Sequence, residues 1–308
     1  MAFDRKTFVI PPGTVFDERL VTTPGDVVLG DHVRFGFGVK AEGRLFGGQG
    51  IEVDGTVSCK GELRLDQSSH VLGDVDVGGN AWLGERCFVG GLLSLEGDLD
   101  VGDDVRIGGA LKAKGWVQKR SPVPLVLYLF IYLLELLRLG HSKEVEKILA
   151  EMEGMNEGDL MVGDVFLFVP DGSQVGLQSS EVKGGLEVGE KVRVLGNYTV
   201  RGKARVGAGA TVHGALRADG DVVLAPGSEV QGELVSGGHV VVGQGCQVLG
   251  DLKAHTVEMH AQATVDGKIV AEGGVTFRSE SQEEAQKAAL AKVEEFKGKA
   301  GDLVDLLG

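Results

Sequence analysis

Three cysteines in 308 residues, at 59, 87 and 246 and without a CxxC pair, are too few and too scattered for a disulfide framework or a zinc site. They predict a reducing compartment. Proline is scarce, seven in all, and glycine does not recur at every third position, so a collagen triple helix is excluded. Basic residues are outnumbered 31 to 45, a formal net charge of −14, which denies the surface the basic stripe that nucleic acids require. No secretory leader pattern opens the chain, and with the cysteine usage this predicts a cytoplasmic protein. No Ser or Cys sits in a nucleophile elbow and no nucleotide-binding loop occurs, so the expectation is no catalytic residue, no cofactor, no metal and no nucleotide partner.

What is abundant is glycine, 50 residues, in a chain that is 43% hydrophobic and therefore not a disordered tail. A seven-residue phrase recurs: an apolar residue, usually Gly, two polar residues, a small residue, a polar one and an apolar one. It reads LGDHVRF at 29–35, LGERCFV at 83–89 and VGDDVRI at 101–107. Later copies are VGEKVRV at 188–194, VGAGATV at 206–212, LAPGSEV at 224–230 and VGQGCQV at 242–248. Starts fall at 29, 47, 65, 83 and 101, each 18 after the last, and at 188, 206, 224, 242 and 259, with one step of 17. Within each repeat apolar residues return every six positions, as in Leu65, Val71, Val77, Leu83, Val89, Leu95, Val101 and Ile107. An amphipathic helix needs a period near 3.6, so these stretches are not helical.

Six-residue spacing closing at 18 predicts a three-sided coil of short strands. Successive coils stack about 4.8 Å apart through parallel ladders, and aliphatic columns run down the inside. Glycine is expected to supply corners of positive φ. The fold class is thus mainly β: two parallel β-helix (solenoid) domains. Two, because the phrases at 29, 47, 65 and 83 recur 159 residues later, as do IPPGTVF at 10–16 in VPDGSQV at 169–175 and Cys87 in Cys246. The expected division is a first β-helix domain over 1–118, an inserted apolar helical hairpin over 119–158, a second β-helix domain over 159–279, and a C-terminal helix and tail over 280–308.

The hairpin expectation rests on Ser121 to Pro124, which precede the apolar run Leu125–Leu139, and Gly140 after it, the usual start and stop signals of a helix. Fifteen residues of helix span about 22 Å, short of the ~30 Å of a bilayer core. Lys112, Lys114, Trp116, Lys119 and Arg120 ahead of the run give it the look of an interfacial anchor. Leu125, Phe130, Leu133 and Leu137 are accordingly candidates to meet either a membrane surface or protein, the latter at a solenoid end or between subunits. A second helix is expected near 142–153, and another over 282–297.

His32, His70, His213, His239, His255 and His260 are the residues with most catalytic potential, and each reads better as a solvated polar side chain of a corner or strand. Asp31, Asp74, Asp103, Asp104, Asp221 and Asp251 read as solvation of the coil exterior. Cys87 and Cys246 fill a small inward slot and read as inert core thiols.

Two families share this grammar. VGAGATVHG at 206–214 resembles the hexapeptide-repeat acyltransferases, which implies acyl-CoA chemistry with His213 or His255 as the base; no projecting loop interrupts the 18-residue spacing inside either half. GDLKAHTVEMHAQATVDGKIVAEGGVTF at 250–277 is similar to the repeat of the bactofilins, polymer-forming cytoskeletal proteins. That resemblance implies a non-enzymatic scaffold that assembles without nucleotide, its partner being another copy of itself. An uncapped coil offers unpaired N–H and C=O groups and an apolar cross-section to such a copy. Ile10 and Phe16 near the start, and Val275 and Phe277 at the end of the second half, are the assembly candidates.

Overall fold

The computed structural model describes residues 5–119 and 163–278. These residues form 38 short β-strands and, among them, no helix. They build parallel β-solenoids of about twelve turns, and the chain divides into two compact units, Met1–Gly184 and Gly185–Gly308. The expected hairpin, including Leu125, Phe130, Leu133 and Leu137, and the expected C-terminal helix lie outside the described residues.

Each coil of the first unit contributes one strand to each of three sheets, as Leu63–Leu65, His70–Val71 and Val75–Val77 do. Pairing is parallel and in register at the 18-residue step. Leu63 lies between Leu45 and Ala81, Val71 between Val53 and Val89, and Val75 between Val57 and Leu93. A three-residue strand points its first and third side chains inward and its second outward, which is why the apolar–polar–apolar triplets Leu63–Leu65 and Val75–Val77 show buried–exposed–buried alternation. The second unit repeats the scheme. Leu186, Ala204, Val222, Val240, Val257 and Val275 form one inward column, and Tyr198, Leu216, Leu234, Leu252 and Ile269 another.

Glycine supplies corners of positive φ as expected, but it does not hold all of them. Among the described residues the recurring left-handed corner holds His32, Ser68, Arg86, Asp104 and Lys191 as well as Gly50, Gly209, Gly227 and Gly245. A side chain in this conformation costs roughly 1–2 kcal/mol. A fixed inter-coil bond offsets part of that, as where the Ser68 amide donates to Glu85 O at 2.8 Å. The glycine that follows the apolar residue of each phrase is there for clearance. A Cβ on Gly84 would stand 2.7 Å from the Gln67 amide nitrogen, and one on Gly102 2.8 Å from that of Glu85. At these two corners the preceding coil leaves no room for a side chain, whereas the corresponding place holds Asp66 and Ala225 in other coils.

Several of the corner acids also do more than solvate the exterior. Asp74 Oδ1 accepts from the Leu92 amide at 2.7 Å, Asp31 Oδ1 from Gln49 at 2.7 Å, Asp221 Oδ1 from His239 at 3.0 Å and Asp251 Oδ1 from Lys268 at 2.9 Å. Asn80, Asp98 and Asn197 do the same. In each case a short Asx side chain caps an amide of the next coil that the strand ladder cannot reach. Of the other acids in that group, Asp103 pairs with Lys119 at 3.2 Å and Asp104 occupies a left-handed corner.

Candidate assembly surfaces on the terminal coils

The beginning of the first unit is closed. Phe166–Val169 pairs in parallel with Asp26–Leu29, the first regular strand of its sheet, and antiparallel with Thr7–Ile10 on its other side, where Val9 faces Phe168. Gln174–Val175 pairs in parallel with Arg34–Phe35 and antiparallel with Ser179–Val182. Val15–Phe16 turns back on Leu20–Thr23, which continues in parallel to Gly38–Ala41. Ile10 and Phe16 are therefore interior residues of this unit, and the Phe16 ring meets Phe37 edge-on at 6.0 Å. A polar clamp adds to the closure. Asp26 accepts from the Arg44 side chain at 2.7 Å, the Arg44 amide at 2.8 Å and the Gly163 amide at 2.9 Å. Burial acts to raise the Asp26 pKa, but the Arg44 guanidinium and the two amides outweigh it and hold the carboxyl below its usual range.

The far end of the first unit is different. Arg106–Ile107, Leu111–Ala113 and Val117–Lys119 are the outermost strands of their three sheets. The inward columns run on into this coil, leaving Leu111 42% and Val117 53% exposed. In the second unit Thr264–Val265, Ile269–Ala271 and Val275–Arg278 are likewise outermost, and Val275 is 38% and Phe277 60% exposed. Val275 and Phe277 continue the columns of Val257 and Met259. Among the described residues, both terminal coils thus end in an apolar cross-section edged by a strand with one unpaired ladder face. Of the four assembly candidates, the structure puts Val275 and Phe277 on such a coil and Ile10 and Phe16 in the core; Leu111 and Val117 lacked a signal of their own, because they obey the same pattern as the buried coils before them.

No described cluster gathers the histidines. His213 Nδ1 lies 2.9 Å from Gln231 Oε1, His239 Nδ1 2.7 Å from Thr256 Oγ1, and His255 Nδ1 3.7 Å from Glu272 Oε2. His260 is buried and accepts from the Gln262 amide at 3.1 Å. His32 sits at a left-handed corner and His70 beside the Phe88 ring. Each engages its own coil or the next, and His239 Nε2 in addition lies 3.8 Å from Glu258 Oε2. The three cysteines are buried and unpaired. Burial, with a smaller effect from the charge of Asp76, pushes the Cys59 thiol up to about 12, and burial also raises Cys87. Cys246 Sγ lies 3.0 Å from Ala225 O. Among the described residues there is no group of three or more His, Cys, Asp or Glu placed to hold a metal ion, and no helix long and apolar enough to cross a membrane.

The flanks carry inter-coil ion pairs, among them Arg217 with Glu233 at 2.9 Å and Lys203 with Asp221 at 2.9 Å. Residues 178–284 match the bactofilin family model, described as polymer-forming cytoskeletal. No curated protein and no solved structure gives a match to the chain.

Proposed function

We propose, from the bactofilin domain that residues 178–284 carry, that the protein is a structural, self-assembling scaffold whose copies join through their terminal coils without nucleotide. That family is structural and non-enzymatic. The observation that supports the terminal coils as the contact is the unbroken run of inward columns into exposed aliphatic and aromatic side chains at Leu111, Val117, Val275 and Phe277. Joining two such coils extends the parallel or antiparallel ladders and removes apolar surface from water in one step. The partner is a second copy of the chain. Ile10 and Phe16 contribute to the scaffold by filling its core.

Assembly is tested by sedimentation and electron microscopy of the purified full chain, with and without ATP, GTP or Mg²⁺. Filaments or defined oligomers that form equally in all conditions are expected. They should be lost in the double variant Val275→Glu, Phe277→Glu. Strictly monomeric behaviour across protein concentration and salt overturns the proposal, as does a nucleotide requirement.

A further inference from the structure

The described part of the first unit breaks off at Lys119 and resumes at Gly163, and the strands at these two points, Val117–Lys119 and Phe166–Val169, belong to one sheet. Val117–Lys119 is the outermost strand of that sheet, and Phe166–Val169 lies six strands along it, next to Asp26–Leu29. Six ladder steps separate the two strands, about 29 Å. Residues 120–162, 43 in number, must cover that distance in the direction opposite to coil growth.

The outer face of the sheet between these two strands is not an ordinary solenoid flank. Its outward column reads Phe168, Val28, Phe46, Arg64, Trp82, Asp100 and Gln118. Although they point away from the solenoid interior, Phe168 is only 3% and Val28 only 5% exposed, and Phe46 and Trp82 are half-buried. Phe46, Arg64 and Trp82 line a groove of about 850 Å³ that runs on to Gln118 and Lys119. The second unit supplies an internal control. At the places 159 residues later, Val28 is replaced by Glu187, Phe46 by Arg205 and Trp82 by Val241, and Glu187 and Arg205 are exposed. The aromatic face occurs on the unit from whose last coil the chain must return.

We propose that this outer face, from Trp82 through Phe46 and Val28 to Phe168, is the docking site of the chain's own apolar run Leu125–Leu139. The lengths agree: the run's sequence pattern is helical, its 15 residues would extend about 22 Å, and the remaining residues of 120–162 supply the two connections. Docking removes from water a run too apolar to stay solvated and the exposed parts of Phe46 and Trp82, on a face without parallel in the second unit. The run is thereby a bracing element of the first unit, and neither a membrane anchor nor a plug for a terminal coil. This assignment is independent of whether the protein polymerises.

The test uses the full chain carrying Trp116→Phe, which leaves Trp82 as its one tryptophan. Replacing residues 125–139 with a Gly/Ser linker of equal length should shift Trp82 emission to the red and raise its acrylamide quenching severalfold, with the β-sheet circular dichroism retained. In an otherwise native chain, the pair Trp82→Cys with Cys scanned through Leu129, Leu133 and Leu137 should give an intramolecular disulfide at one or two adjacent positions. The unit 2 residue, introduced as Phe46→Arg, should weaken that cross-link. Unchanged quenching in the linker variant overturns the proposal. So does the absence of any cross-link, a cross-link only between chains, or flotation of the native chain with phosphatidylglycerol vesicles that is lost in the linker variant.

Discussion

Two leucines that are neighbours in one column separate folding from assembly. Leu93 and Leu111 stack directly, one coil apart, but Leu93 is fully buried and Leu111 is 42% exposed. Truncation to Ala removes about three carbons, worth about 2.4 kcal/mol at ~0.8 kcal/mol per buried carbon. In Leu93→Ala the surrounding coils cannot collapse into the gap, and the cavity brings the cost to about 3–4 kcal/mol. In Leu111→Ala only the covered fraction counts and an open site leaves no cavity, so the loss is about 1.4 kcal/mol. The uncovered fraction corresponds to about 1 kcal/mol that becomes available when another copy seals the coil. Its loss should raise the concentration of half-assembly about fivefold. Urea unfolding of the unassembled protein and sedimentation velocity across a concentration series measure the two effects. Equal unfolding costs would show that the columns are not the core. Wild-type assembly of Leu111→Ala would show that this terminal coil is not a joining surface.

Asp26→Ala, which removes the clamp on Arg44 and Gly163, should cost about 1–3 kcal/mol in the first unit by urea unfolding. Because the native Asp26 carboxyl is held below its usual range, its contribution is present in full above about pH 4 and is lost as pH falls through the depressed native value. Protection of the Arg44 and Gly163 amides against hydrogen exchange, taken relative to the intrinsic rate at each pH, should therefore fall on acidification, and Asp26→Asn should abolish that dependence; an unchanged acid profile in Asp26→Asn contradicts the assignment. Cys59, with its thiol pushed up to about 12, should react with a disulfide reagent at pH 8 about a thousandfold more slowly than an ordinary thiol of pKa near 8.5. Its labelling should then follow unfolding, and rapid labelling of the native protein would contradict its burial.

The solenoid was legible because it is written in covariant steps. Inward positions six apart and coils 18 apart leave one arrangement that lines up the repeating Val and Leu as inward columns, and the observed registers, Leu45 to Leu63 to Ala81 for example, follow it. The 159-residue offset likewise anticipated that Val9 and Phe168 hold equivalent places, but not that they would pair with each other in antiparallel fashion. Such a pairing joins residues far apart in the chain through backbone groups, which leave no side-chain period to read. Ile10 and Phe16 looked like terminal residues for the same reason, since nothing in their neighbourhood announces that residues 166–182 will return to cover them. The glycine expectation holds at corners such as Gly50 and Gly209 but is incomplete. The glycine positions were plain, yet the physical demand at Gly84 and Gly102 is clearance from the preceding coil, while the left-handed corner accepts His32, Ser68 and Arg86. Corner acids such as Asp74 and Asp221 gave no signal, because an Asx that caps an amide and an Asx that faces water look alike in one sequence.

The parallel pairing of Phe166–Val169 onto Asp26–Leu29 also sets a timetable for biosynthesis. The 137 residues from Leu29 to Phe166 take a ribosome roughly 7–27 s to add at ~5–20 residues per second. Until they emerge, the nascent chain holds a hydrophobic sheet margin with nothing beside it. The first unit consequently cannot mature in simple N-to-C order, and a ribosome that stalls between residues 119 and 166 would release a product with two sticky margins, a natural client for a holding chaperone.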